Sequence, residues 1–151
     1  MTIRINRSGT ARRRATEVFD FLADVRTELQ WDPDTVAVTK LTDGPVRRGT
    51  RFRDVNKMTG VAIEAIWETV EYDRPSRLTR WTRNEKMEMK ASYAVEPVAE
   101  SARVTLDLEI RLLGWRRVLE PVMRLLIARY AEVSERRLIS ALESGAAGPP
   151  A

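Results

Sequence analysis

The chain contains no cysteine and no histidine. Disulfides and Cys/His zinc sites are therefore excluded, as are a cysteine nucleophile and a Ser-His-Asp triad. The usual proton shuttle near neutral pH is also missing. Any catalysis must rest on Asp, Glu, Tyr, Arg or Lys, with or without an ordered water. No metal and no cofactor is expected. Long apolar runs are lacking too. None approaches the roughly 20 residues that a membrane-spanning helix needs. Residues 1–10 hold no apolar signal-peptide core. A cytoplasmic location is expected, with no integral membrane association.

What is present fits an ordinary globular protein: 151 residues, 43% hydrophobic and 32% charged. We expect one domain over residues 1–144 and a disordered small-residue tail over 145–151. The net charge is +4, and 22 of the 26 basic residues are arginine. These are spread along the chain, as in Arg12-Arg13-Arg14, Arg47-Arg48, Arg116-Arg117 and Arg136-Arg137. No recognition helix or stacking motif accompanies them, so solvated faces are expected and nucleic acid is not. The run Arg47 to Arg51 lacks the glycine spacing of a phosphate loop.

Periodicity sets out the elements. Ile3 and Ile5 alternate with Arg4 and Asn6, which predicts a strand running to about Arg12. Val18, Phe21, Leu22 and Val25 recur at helical spacing, with Thr16 as the N-cap. A second short helix is expected from Arg26 to Gln30, ended by Trp31-Asp32-Pro33. Strands follow from Val36 to Lys40, Thr50 to Lys57, Val61 to Glu68 and Arg77 to Thr82. A hairpin turn is expected at Met58-Thr59-Gly60 and another turn at Asp73 to Ser76. The clearest alternation runs through Met87, Met89, Ala91, Tyr93 and Val95, and again through Val104, Leu106, Leu108 and Ile110. Glu96 to Ser101 is expected as the loop between them. Gly114-Trp115 breaks the pattern, and Pro121 suits a helix's first turn. Leu119, Val122, Met123, Leu126, Ile127, Tyr130 and Val133 then form an apolar stripe on a helix reaching Leu142 or Glu143.

One strand, two short helices, about six strands and one long helix: this order resembles the START-like helix-grip superfamily, also called SRPBCC. The local sequence carries the likeness further. Glu17 to Asp24 followed by Trp31-Asp32-Pro33 looks like that superfamily's opening helices. Asp43-Gly44-Pro45 with Gly49 to Phe52 looks like its next hairpin. Asp73-Arg74-Pro75 with Leu78 and Trp81 resembles its mid-sheet turn. The branch it most resembles is the polyketide cyclase/dehydrase and lipid transport group, over about residues 3 to 143. Ala15-Thr16 stands where that family often has Ala-Pro, which alters only how the helix starts. The resemblance implies an α+β fold: a curved antiparallel sheet of six to seven strands, two short helices, and a long C-terminal helix closing a cavity. It does not decide function.

If the charged strand faces meet water, the opposite faces line the cavity. That places Phe52, Ile63, Trp67, Met87, Met89, Tyr93, Leu106, Leu108 and Ile110 inward, with Met123, Ile127 and Tyr130 looking down from the helix. Trp81 joins them if its strand keeps register. Each residue alone is better explained by a filled core. Together, the soft methionines and flat aromatics suit a flat or greasy ligand. Asp54 shares a face with Phe52. It is either a polar anchor or base with a raised pKa, or an exposed strand end, and the exposed reading is favoured. Tyr93 and Tyr130 either donate to a ligand or satisfy a neighbour. Arg80 and Arg83 have no assigned face, and Arg137 is expected to snorkel to water beyond the cavity.

Three functions compete. The first is binding or transport of a hydrophobic small molecule or lipid, by a monomer or homodimer. The second is a polyketide cyclase/dehydratase-like enzyme acting on an aromatic or polyketide-like substrate. The third is a co-chaperone-like or other interaction module that uses its basic surface against a ribosome or membrane.

Overall fold

Alternation and helical spacing become one sheet and its covering helices in the structure, a computed structural model that describes residues 2–57 and 60–144. Strand β1 (Ile3–Ala11) opens the chain, with Ile3, Ile5 and Ala11 buried. Helix α1 (Ala15–Ala23) and helix α2 (Glu28–Trp31) follow, joined by a 3-10 turn over Val25–Thr27. The N-cap of α1 is Arg14, not Thr16. The helix starts early enough to put Thr16 inside its first turn, where the Glu17 carboxylate accepts from the Arg14 backbone N–H at 3.3 Å. The buried face is also wider than the spacing implied. Phe19 is fully buried and packs edge-to-face on Tyr72, with ring centroids 5.2 Å apart.

The remaining strands are β2 (Thr35–Lys40), β3 (Arg51–Asn56), β4 (Ile63–Asp73), β5 (Arg77–Arg83), β6 (Met87–Val98) and β7 (Ser101–Leu112). Helix α3 (Glu120–Glu143) follows a 3-10 segment over Gly114–Leu119. The sheet runs β1-β7-β6-β5-β4-β3-β2, and every neighbouring pair is antiparallel. Register shifts at Thr35/Ala37 and Thr69/Glu71 mark bulges, which bend the strands that carry them. Met58 and Thr59 of the expected hairpin turn, and the 145–151 tail, lie outside the described residues.

Two expectations need correction. Glu96 to Ser101 is not a loop: β6 runs on to Val98, which pairs with Ser101, and Pro97 pairs with Ala102. The turn is only Ala99-Glu100. It has no glycine or asparagine to announce it, because Ala99 itself takes the left-handed conformation, with φ 54°.

The apolar stripe on α3 coincides only in part with its buried face. Leu119, Val122, Leu126 and Val133 are exposed, whereas Ile127, Ala131, Ser134, Leu138 and Leu142 are buried. These buried positions recur at i, i+4, i+7, i+11 and i+15, a clean helical face that includes small and polar residues. The first half of the helix is apolar on both sides, so hydropathy alone could not choose between them. Close approach of α3 to β1 depends on Gly9. A Cβ there would stand 3.0 Å from Glu135 Oε1 and 3.4 Å from Ile139.

Candidate functional site

The inner sheet face, α2 and α3 enclose a cavity of about 220 Å³. Alternation puts Ile63 and Trp67 of β4, Met87, Met89 and Tyr93 of β6, and Leu106, Leu108 and Ile110 of β7 on its walls. Met123, Ile127 and Tyr130 line it from α3, and Asp54 from β3. Phe52 does not. It is fully buried on the same strand face as Asp54, but it is packed solid where the cavity has already ended. Trp81 does not either. The register of β5 puts Leu78, Arg80 and Thr82 inward and Trp81 outward, where its indole N–H donates to Glu88 Oε1 at 3.1 Å. Arg83 is on the outer side too and is exposed. Arg137 is exposed beyond the cavity, beside Gln30 and Trp31.

The two ends of the cavity differ. At one end Met87 and Met89, paired with Leu112 and Ile110, pack with Met123 and Ile127 into an apolar cluster. Toward the other end, at the level of Ala91 and Tyr93, Arg80 is buried with only 3% of its surface exposed. Its guanidinium donates to the Leu22 carbonyl at 2.9 Å, to Glu28 Oε1 at 3.4 Å and to the Tyr93 hydroxyl at 3.5 Å. It also lies over the Tyr93 ring, 5.4 Å from the centroid. Tyr93 accepts from Arg80, which leaves its own O–H able to donate. Burial holds that phenol above its ordinary range, so it stays protonated.

Carboxylates surround the Arg80 cation. Burial pushes Glu28 up to about 8, with the Arg80 charge opposing and the Asp54 and Asp32 charges adding to the rise. Asp54 is 7% exposed, which overturns the exposed reading. Burial pushes it up to about 6, while the Arg80 charge and hydrogen bonding to Trp67 pull it back. Asp54 Oδ1 has no hydrogen-bond partner among the described residues, and neither has the buried indole N–H of Trp31. Both residues line the cavity. Tyr130 is committed elsewhere, since its hydroxyl donates to Asp32 Oδ2 and joins α3 to the end of α2. Burial and the Asp32 charge hold it well above the ordinary tyrosine range.

Glu28, Trp31 and Asp32 also line the cavity, and sequence reasoning passed over them. Their spacing of i, i+3 and i+4 was the available signal, since it puts them on one face of a short helix. Ser134, Leu138 and Ile139 were missed because the apolar stripe that supplied Met123, Ile127 and Tyr130 ends at Val133. Among the described residues no group of three or more acidic side chains converges as a metal would require. No helix among them is long and apolar enough to cross a membrane.

A sequence model for the family described as polyketide cyclase / dehydrase and lipid transport matches residues 2–143. The chain belongs to that family. Its fold agrees with solved START-like structures. A START superfamily protein from Mycobacterium smegmatis superposes with a TM-score of 0.80 at 13% identity, covering 93% of this chain and 97% of that one. The Zhui aromatase/cyclase from Streptomyces sp. R1128 gives 0.75 at 16% identity, covering 97% and 94%. A major latex-like protein from Panax ginseng gives 0.72 at 15% identity, covering 93% and 97%. At these identities the likeness shows the helix-grip fold alone. No curated protein matches the sequence. The family includes ligand- and lipid-binding proteins as well as aromatase/cyclases, so membership leaves the specific role of this chain to its own side chains.

Proposed function

We propose that the chain binds a compact, flat hydrophobic molecule that carries a hydroxyl or similar oxygen. The observation behind this reading is the unpartnered Asp54 Oδ1 near Arg80, in a cavity whose opposite end is apolar. An unpaired buried acceptor costs about 1–3 kcal/mol, and a ligand O–H would recover that. The methionine end supplies adaptable apolar contact for the ring system. The volume lies below the roughly 300–1,000 Å³ of drug-sized sites, which favours a small ring system over a long acyl chain. Native mass spectrometry of protein purified from its own host tests this. A small organic mass released on denaturation is expected. Only the bare chain, together with no binding of any bicyclic phenol, would contradict it.

A second reading has an observation of its own. Asp54, with a pKa near 6 inside a cavity, is suited to take a proton at neutral pH, and Tyr93 beside Arg80 could donate to an enolising carbonyl. That pairing would serve a cyclase or dehydratase acting on a polyketide-like substrate. Asp54→Asn and Tyr93→Phe would then abolish turnover while binding survives. Binding lost in step with turnover would return the residues to the role of anchors.

A further inference from the structure

The first half of α3 and the segment before it present a second apolar face, pointing away from the cavity. Trp115, Val118, Val122, Leu125, Leu126 and Val133 are between 45% and 76% exposed. Spacings of three, four and seven residues bring most of them to one side of the helix. A helix that is apolar on both faces is normally covered on both, and among the described residues nothing covers this one. The charges beside it are mainly positive. Residues 114–133 hold Arg116, Arg117, Arg124 and Arg129 against Glu120, which is buried, and Glu132, which pairs with Arg136 at 2.7 Å. Arg116 also stacks over the Trp115 ring, 5.1 Å from its centroid.

We infer that this face docks on an anionic phospholipid surface. An exposed tryptophan, a row of aliphatic side chains and flanking arginines are what an interfacial helix needs. The charge decides against a second copy of the chain, because a self-complementary contact would bring two sets of arginines together. None of the six apolar side chains lines the cavity, so docking stands apart from the binding chemistry there. Met123 and Ile127 line the cavity from the same turns of α3, so docking would bring lipid close to the cavity's apolar end.

Co-sedimentation with vesicles tests it. The full chain should pellet with phosphatidylcholine vesicles containing phosphatidylglycerol, much less with pure phosphatidylcholine, and less as salt rises. Arg117→Glu/Arg129→Glu and Leu125→Asp should each weaken that binding roughly tenfold or more, because each near-surface basic charge contributes severalfold. Thermal unfolding should stay unchanged in both variants, which separates lost docking from lost folding. No pelleting with anionic vesicles would overturn the inference. So would equal pelleting of the variants, or a dimer in sedimentation velocity that Leu125→Asp dissociates. None of those failures would touch ligand binding in the cavity.

Discussion

The two halves of α3 are built for different work. The second half is tied to β1 and the core. Arg7 Nε donates to Glu135 Oε2 at 2.6 Å, Arg13 Nε donates to the Leu142 carbonyl at 2.8 Å, and Leu138 and Leu142 are buried. The first half has only Glu120, Ile127 and Ala131 buried, and it carries exposed aliphatic side chains on its far side. The second half anchors the helix and also walls the cavity through Ser134, Leu138 and Ile139; the first half roofs its apolar end. A single continuous helix therefore combines a fixed frame with a site.

The largest effect should come from breaking the anchor. Leu138→Ala should cost about 2–4 kcal/mol in chemical denaturation, as buried leucines do. Leu125→Ser, on the outer side of the other half, should stay within about 0.5 kcal/mol. Equal costs would erase the contrast between the halves.

A smaller effect concerns the roofed site. The pKa values of Glu28 and Asp54 are raised, so the folded chain keeps protons that the unfolded chain has released. Their contribution to stability is complete below the unfolded carboxylate pKa of about 4. It is lost as pH rises through about 6 for Asp54 and then about 8 for Glu28. Glu28→Gln should remove the upper part of that decline. The gap between the unfolding free energies of the two proteins should therefore change between about pH 5 and pH 9. Parallel curves would place Glu28 in water instead. The smallest effect should be the part-buried Arg7–Glu135 pair, whose coupling in a double-mutant cycle should be about 1 kcal/mol.

The sheet and its inward faces were legible because β6 and β7 alternate strictly, with charged residues on one side. Met87, Met89, Leu106 and Leu108 could be placed from that alone. Arg80 and Trp81 could not. Hydropathy argues for the tryptophan inside, whereas the register puts the arginine there, with Leu22, Glu28 and Tyr93 satisfying it. Those partners come from three separate elements, so nothing local in β5 announces them. The inner face of α3 was hidden for a related reason. Ala131 and Ser134 face the cavity, while larger aliphatic residues face out.

The most direct test compares naphthol with naphthalene, followed by tryptophan emission, to which Trp31 and Trp67 of the cavity wall contribute. The unpartnered Asp54 oxygen predicts that the wild-type chain prefers naphthol by about 10- to 100-fold, the worth of a hydrogen bond to a charged group. Asp54→Leu should abolish that preference while naphthalene still binds. Equal affinity of the wild-type chain for both, or a preference that survives Asp54→Leu, would contradict a site organised around that carboxylate.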